Sequence, residues 1–283
     1  MRLHRRLSTL ACTLAAAALL PLSALPALAG DSGWAVRIAN REAVSFKGMP
    51  AQEEVGQPGT MMYPAPNVIG LVAGIVTHGL VAGAARGSAR SEADKAADKL
   101  VDPYRSGLAG FTQQELALAA LAKPALRTAH LAAAGEAGPG LVESSPVFYL
   151  TPEHDALVLD NSVAVARAAG EPQRTTIRVV SPPHLAEDAV ARWSADNARA
   201  LKAASAELLA LSLEIAIAPP APAGAAAPPY RTVRYLQGRK EMFERAQVLD
   251  EHCGRALIRS LRGWLMSVPL VKSSQPPAAD CGA

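Results

Sequence analysis

The chain has 283 residues, of which 50% are hydrophobic and only 4% aromatic, so its helices must pack largely through small side chains. Its 28 basic and 25 acidic residues give a formal net charge of +3, but Arg2, Arg5 and Arg6 account for the whole excess. Beyond residue 29 the charges balance at 25 of each sign. Because proteins that bind polyanions present a surplus of clustered basic residues, this balance argues against nucleic acid as a partner.

Residues 1–29 predict a signal peptide. The three arginines are followed by an apolar run from Leu7 to Leu25, and the segment ends in the small-x-small sequence "ALA". Signal peptidase recognises this order of features, so we expect cleavage between Ala29 and Gly30; the alternative is an uncleaved N-terminal anchor. We therefore expect an exported protein, located in the periplasm or on the periplasmic face of a membrane.

Residues 30–66 predict an extended arm. The stretch "WAVRIANREAVSF" (34–46) alternates apolar and polar residues, as a half-buried strand or hairpin would. The stretch that follows, "MPAQEEVGQPGTMMYPAP" (49–66), contains four prolines and predicts a loop.

A glycine-rich stretch, "NVIGLVAGIVTHGLVAGAARGSAR" (67–90), opens the region 67–134, which we predict to be helical. Projected at 100° per residue, its small residues form two seams, one before and one after His78. A seam of glycines lets another backbone approach closely, as in small-xxx-small contacts between membrane helices. We therefore assign a helix-packing role to Gly70, Gly74, Gly79, Gly83 and Gly87.

Three structures fit this stretch. A bilayer-spanning helix from Val68 to Ala85 would have only 18 residues, at the lower limit for a span, and would place His78 near the costly midplane. A helical hairpin turning at His78 and Gly79 would bring the two seams together, in a membrane or against another copy. One continuous helix in a soluble core is the third alternative.

The remainder of the helical region contains two charged, alanine-rich segments. "SEADKAADKLVDPY" (91–104) predicts one helix, and "TQQELALAALAKPALRTAHL" (112–131) predicts another. Thr112 and Glu115 have the spacing of a capping box at the start of the second helix. Pro124 should kink or end that helix.

Residues 141–272 predict an α+β domain, followed by a C-terminal tail at 273–283. "SPVFYLTPEHDALVLDNSVAVARA" (145–168) predicts a strand, a turn and a strand, and "QRTTIRVVS" (173–181) a third strand. Residues 185–217 predict one long helix. Residues 230–237, 240–250 and 255–270 predict three more strands, the last two joined by a turn at 251–254. The fold class expected is α+β, with an antiparallel sheet of about six strands and one long helix behind the glycine-rich helical segment.

Four stretches of the sequence resemble segments of known bacterial proteins. "GLVAGIVTHGLVAGAARGSARSEADKAADKL" (70–100) resembles the glycine-zipper segments of Gram-negative envelope proteins, in which a glycine-rich stretch runs into a charged helix. The stretches "SPVFYLTPEHDAL", "ARWSADNARALKAASAEL" and "ALIRSLRGWLMSVP" are similar to a set of uncharacterised exported bacterial proteins. The resemblance implies a location in the envelope and this architecture, and it implies no active site.

The sequence predicts one disulfide and no catalytic, cofactor or metal site. Two cysteines remain after residue 29, and in an exported protein Cys253 and Cys281 are expected to pair; the alternative is two unpaired thiols. None of the five histidines beyond residue 29 has the spacing of a metal site on one helix. The sequence "PEHD" (152–155) predicts a solvated turn.

One group of arginines stands out near the C-terminus. Acidic residues interleave with them, so pairing across strands is the expected use, and contact with anionic lipid or with a peptidoglycan carboxylate is the alternative. The arginines are Arg231, Arg234, Arg239, Arg245, Arg255, Arg259 and Arg262.

These expectations combine into one functional hypothesis with two alternatives. The preferred hypothesis is a non-enzymatic envelope protein that uses the glycine segment to associate with membrane lipid or with itself, without a cofactor. The alternatives are an exported hydrolase with a site assembled from dispersed residues, and a periplasmic binding or accessory module for another envelope protein.

Overall fold

The computed structural model describes residues 33–38, 42–50, 92–167, 171–184, 187–220, 224 and 226–271. The predicted signal peptide, the glycine-rich stretch 67–90 and the tail 273–283 lie outside the described residues. The predictions made for them are therefore neither confirmed nor contradicted by the structure.

The described residues form an α+β fold with a mixed sheet of ten strands. The strands are β1 (Ala35–Ile38), β2 (Ser45–Gly48), β3 (His130–Leu131), β4 (Leu141–Leu150), β5 (Leu157–Ala166), β6 (Gln173–Val180), β7 (Tyr230–Gln237), β8 (Lys240–His252), β9 (Arg255–Ser260) and β10 (Leu265–Pro269). The helices are α1 (92–98), α2 (Arg105–Leu108), α3 (Gln113–Leu121) and α4 (Ala189–Ile217), with 3₁₀ turns at Lys99–Tyr104 and Pro124–Leu126.

Two antiparallel blocks make up most of the sheet. The strand order is β3-β1-β4-β5-β6-β10-β9-β8-β7, and β2 pairs with β4 beside β1. Strands β4 to β6 and strands β7 to β10 are antiparallel within each block, and the parallel pair β6–β10 joins the blocks. An isolated bridge between Tyr235 and Leu270 brings β7 back to the end of β10, so the second block is rolled up.

The prediction of about six antiparallel strands is wrong in number and in direction. Residues 34–46 do contain strands, as predicted, but β1 and β2 do not form a hairpin, because both pair in parallel with β4. The segment 255–270 was expected to be one strand, but it is the β9–β10 hairpin, whose turn includes Gly263 at a φ of 80°. A pairing with a strand a hundred residues away leaves no local pattern, which is why parallel partners were missed.

The helix predictions for the described residues are confirmed in part. The predicted helix 112–131 is α-helical only from Gln113 to Leu121, and its last residues, His130–Leu131, form strand β3. Thr112 and Glu115 form both hydrogen bonds of a capping box at the start of α3, at 2.9 and 3.2 Å. The long helix α4 is present, but it is not continuous. Ala195 is extended, and Asp196, Asn197 and Ala198 have left-handed φ values of 51°, 59° and 56°. Asp and Asn tolerate that region better than most residues, so the sequence places the break where it is least costly.

Two hydrophobic cores lie on opposite faces of the sheet. Leu201, Leu209 and Leu213 of α4 are fully buried in the first core, with Leu157 and Leu159 of β5. The second core fills the rolled block, with Val233, Tyr235, Ile258 and Val268 among its buried residues. The β4–β6 strands therefore have α4 on one face, and their other face is partly open to solvent.

One polar network is buried in the first core. Asn161 is fully buried, and its Oδ1 accepts hydrogen bonds from Ser144 Oγ at 2.9 Å and from the Ser145 amide at 3.1 Å. Its Nδ2 donates to Ser212 Oγ on α4 at 3.0 Å. Since a buried amide that lost these partners would be costly, the network fixes the position of α4 on β4 and β5.

Candidate functional site

The predicted glycine-packing residues Gly70, Gly74, Gly79, Gly83 and Gly87 lie outside the described residues, as do Ala29 and Gly30. Their roles stay predictions. Among the residues that the structure does describe, no helix is both long and apolar enough to cross a membrane.

Cys253 lies in the turn between β8 and β9 and is disulfide-bonded. Cys281 lies outside the described residues, so the pairing of Cys253 with Cys281 stays a prediction. The course of the chain is compatible with it, because the Leu270 amide donates to the Gly254 carbonyl at 2.8 Å. The chain therefore leaves the sheet beside the Cys253 turn.

Two histidines and two aromatic residues form a cluster near the start of α4. The hydroxyl of Tyr104 and Nδ1 of His154 are hydrogen-bonded at 2.8 Å, and Trp193 Nε1 donates to the His154 carbonyl at 2.7 Å. The rings of His184 and Trp193 meet edge to face, with centroids 4.3 Å apart. Burial lowers the pKa of both imidazoles, so they are largely neutral at pH 7. Burial, together with the charge of Asp188, raises the pKa of Tyr104 to about 12.

Asp155 is a buried carboxylate beside this cluster. It is only 2% exposed; Oδ1 accepts from the Thr151 hydroxyl at 2.8 Å and Oδ2 accepts from the Arg239 amide at 2.7 Å. The residues "PEHD" do form a turn, but the prediction that this turn is solvated is wrong for Asp155. The β7–β8 turn folds over it, which the local sequence of 152–155 cannot show.

The hydrogen bonds of Asp155 in this cluster are structural. The oxygens of Asp155 face a hydroxyl and a backbone amide, and neither imidazole accepts or donates to them. An acid–base relay needs the carboxylate to orient an imidazole. The bonds instead tie the β4–β5 turn to the β7–β8 turn and to α4.

A second candidate is a trough on the sheet face opposite α4. Three hydroxyl residues form a row across three neighbouring strands, because Ser145 of β4 pairs with Ser162 of β5, and Ser162 pairs with Thr176 of β6. Next along the sheet lies Ala164, which pairs with Glu143 on one side and Arg174 on the other. The central strand thus carries short side chains between strands that carry long ones, which makes this face concave.

The β9–β10 turn forms one wall of this depression. We call it the β4–β6 trough; it has a volume of about 680 Å³ and includes Arg262 and Trp264 of the turn together with the row and flanking residues just named. The Trp264 ring lies 5.2 Å from the guanidinium of Arg178 and 5.7 Å from that of Arg262. The trough therefore combines hydroxyls, guanidinium groups and one indole.

The acidic residues in and beside the trough are neutralised by arginines. Asp160 Oδ1 and Oδ2 each accept from Arg178 at 2.6 Å, and Glu143 Oε1 accepts from Arg37 at 3.0 Å. Within the part of the chain that the structure describes, Arg174 and Arg262 make no ion pair with a carboxylate. The trough therefore carries surplus positive charge.

The arginines nearer the C-terminus divide between pairing and other roles. Arg231 pairs with Glu251, and Arg234 pairs with Glu241, both between β7 and β8, which confirms the predicted cross-strand pairing at these two positions. Arg255 is inside the protein, where it donates to the carbonyls of Val180 at 2.8 Å and Ser267 at 2.9 Å. Burial lowers its pKa to about 10.

The trough was not predicted from sequence. Ser145, Ser162 and Thr176 occupy outward positions of strands that were themselves predicted correctly, but only the pairing register places them in one row.

Over the described ranges, no group of three or more His, Cys, Asp and Glu side chains is placed to hold a metal ion. No family model, no curated protein and no solved structure matches the chain.

Proposed function

We propose that the chain is an exported, non-enzymatic protein of the cell envelope. Its α+β domain acts as a binding module in the periplasm or on the periplasmic face of a membrane. Its glycine-rich stretch associates with membrane lipid or with a second copy of the chain, and another envelope protein is a further expected partner.

The observation that carries this proposal is the β4–β6 trough. It lies on an open sheet face, where Ser145, Ser162, Arg174 and Arg262 are exposed to solvent. Active sites for small molecules bury most of the ligand surface in a cleft. An open face with projecting hydroxyl and guanidinium groups is better suited to holding a partner than to enclosing a reacting substrate. The predicted signal peptide adds the location.

The test is cell fractionation combined with a matched pair of substitutions. The mature protein should begin at Gly30 and be found in the periplasm or in a membrane fraction. Gly83→Leu should abolish membrane association, or self-association measured by cross-linking, because a large side chain cannot enter a close backbone contact. Ala84→Leu, which lies off the seam, is the control and should be milder. Retention in the cytoplasm, or equal tolerance of the two substitutions, would contradict the proposal.

A second candidate, an exported hydrolase, is favoured by the Tyr104–His154 hydrogen bond, which orients a neutral imidazole at a half-buried position. A neutral histidine is a suitable general base at pH 7. Hydrolysis of p-nitrophenyl esters by the mature protein, lost in His154→Ala, would establish this candidate in place of the binding module.

A further inference from the structure

Two features of the β4–β6 trough indicate which class of ligand it binds: the charges of its arginines and the hydroxyl groups of its floor. The inference below rests on the proposed function, since it names the ligand class of the same binding module. It does not depend on the glycine-rich stretch.

The charge in the trough exceeds what the fold requires. Its residues and their immediate partners comprise four arginines and two carboxylates, so the net charge there is +2, while the chain beyond residue 29 is neutral. The four arginines are Arg37, Arg174, Arg178 and Arg262, and the two acids are Glu143 and Asp160. Among the described residues, the guanidinium groups of Arg174 and Arg262 are thus left without a carboxylate and can attract an anion.

The two surplus guanidinium groups lie at different places in the trough. Arg174 extends from β6, opposite Ala164, and Arg262 extends from the β9–β10 turn beside Trp264. Both are exposed to solvent. Guanidinium groups bind carboxylates and phosphates through paired N–H donors. A ligand that engages both must carry its negative charge on a body wide enough to lie along the trough.

The floor between them is polar and uncharged. The hydroxyls of Ser145, Ser162 and Thr176 make no hydrogen bond to any other residue that the structure describes. Residues directly opposite each other on neighbouring strands have Cβ atoms about 4.5–5.5 Å apart, so the three hydroxyls form a ladder with that spacing. Each hydroxyl can both donate and accept. Such a ladder complements a ligand that itself presents regularly spaced hydroxyls.

We infer that the β4–β6 trough binds an anionic saccharide. The sugar hydroxyls would exchange hydrogen bonds with the Ser145–Ser162–Thr176 row, and the acidic substituents would bind Arg174 and Arg262. An acidic peptide would satisfy the arginines but not the row, and a neutral sugar would satisfy the row but not the arginines.

The test is isothermal titration of the mature protein, with its disulfide intact, using three matched probes. Trigalacturonic acid carries carboxylates on hydroxylated rings, maltotriose carries hydroxyls alone, and triglutamate carries carboxylates alone. Trigalacturonic acid should bind at least tenfold more tightly than either of the others, and its affinity should fall as salt is added. A parallel titration with fructose 1,6-bisphosphate, which carries a phosphate at each end of a sugar, separates sugar phosphates from sugar acids, and tight binding of either class supports the inference.

Substitutions locate the site. Arg174→Ala and Arg262→Ala should each weaken binding about tenfold, as expected for the loss of one hydrogen-bonded charge. Ser162→Leu should abolish binding by filling the floor at an exposed position that the fold tolerates. Arg259→Ala is the control. This exposed arginine lies in the same hairpin, but it is opposite Leu265 in the β9–β10 register, and Leu265 packs in the first core, on the face toward α4.

Four results would overturn the inference: equal binding of maltotriose, equal binding of triglutamate, no binding of any probe, or equal weakening by Arg259→Ala and Arg262→Ala. Circular dichroism of each variant checks that the fold is retained. Because export and the Gly83→Leu comparison do not involve the trough, failure here is distinguishable from failure of the proposed function.

Discussion

The buried contact between Gly238 and Asp155 predicts an unusually large cost for a small substitution. Gly238 lies in the β7–β8 turn with a φ of 66°, and a Cβ atom built on it would lie 1.9 Å from Asp155 Oδ1. The carboxylate is 2% exposed and is held by the Thr151 hydroxyl and the Arg239 amide. It can make room for a methyl group only by losing one or both of these hydrogen bonds.

The magnitude follows from two contributions. An alanine in the left-handed region costs about 1–2 kcal/mol. Each lost hydrogen bond to a charged group costs about 1.5–3 kcal/mol. With one of the two bonds lost, we therefore expect Gly238→Ala to lower the free energy of unfolding by about 2.5–5 kcal/mol.

Gly263→Ala provides the matched control, because it separates backbone strain from the clash. Gly263 also lies in a hairpin turn, with a φ of 80°, and nothing lies within 4 Å of a Cβ atom built there. It should cost only the backbone contribution, about 1–2 kcal/mol. In an Asp155→Ala background, Gly238→Ala should likewise cost no more than Gly263→Ala, as a double-mutant cycle would show.

Urea unfolding of the mature protein at pH 7, followed by far-ultraviolet circular dichroism, measures all of these variants. Equal destabilisation by Gly238→Ala and Gly263→Ala would contradict this prediction. So would an unchanged cost of Gly238→Ala in the Asp155→Ala background. Either result would mean that the Asp155 carboxylate does not fix the β7–β8 turn.

Three further predictions concern the buried network, the imidazoles and the disulfide. Asn161→Leu should lower the free energy of unfolding by about 2–4 kcal/mol, whereas Ser212→Ala, which leaves two of the three contacts intact, should cost about 1 kcal/mol in the same urea assay. Burial holds the folded-state pKa of His154 below its value in the unfolded chain, so the contribution of the neutral imidazole to the free energy of unfolding should be fully present above about pH 6.5 and be lost as pH falls below it. Urea unfolding at a series of pH values should show a shallower loss for His154→Gln. An unchanged dependence of the free energy of unfolding on pH would contradict this. Cys281→Ser should cost about 3–4 kcal/mol, since the predicted bond closes a loop with 27 intervening residues, and mass spectrometry of the non-reduced protein should find no alkylatable thiol in the parent chain.

Local signals account for the parts of the fold that the sequence predicts correctly. The β4–β5 hairpin and β6 have alternating residues and clear turn signals, and the Thr112 capping box is contained within four residues. The β9–β10 hairpin was missed because its turn has a single glycine, Gly263, within an otherwise apolar and basic run. The break in α4 was missed because it contains neither glycine nor proline; its one signal is the pair Asp196–Asn197.

The candidate site depends on pairings between segments distant in the sequence. Ser145, Ser162 and Thr176 are each unremarkable outward residues of their own strands. A shift of one residue in any pairing would turn one of them to the opposite face. Asp155 similarly becomes a buried group only because Gly238 and Arg239 arrive from a turn more than eighty residues later.

The β4–β6 trough differs from the β7–β8 hairpin of the same sheet in how its arginines are neutralised, and this difference favours a binding surface over an ordinary solvated face. On the β7–β8 hairpin, Arg231 and Arg234 each have a carboxylate partner across the strand. Such pairs give small but favourable contributions, and they are the ordinary way to place arginine on an exposed sheet. At the trough the carboxylates of Glu143 and Asp160 are engaged by other arginines, and a floor of short hydroxyl side chains takes the place of further acids. Folding alone does not require this arrangement, because an acid at Ser162 would lie on the strand next to Arg174 and could neutralise it. An anionic, hydroxylated ligand would supply both the counter-charge that no described residue gives Arg174 and Arg262 and the hydrogen bonds that the floor can make.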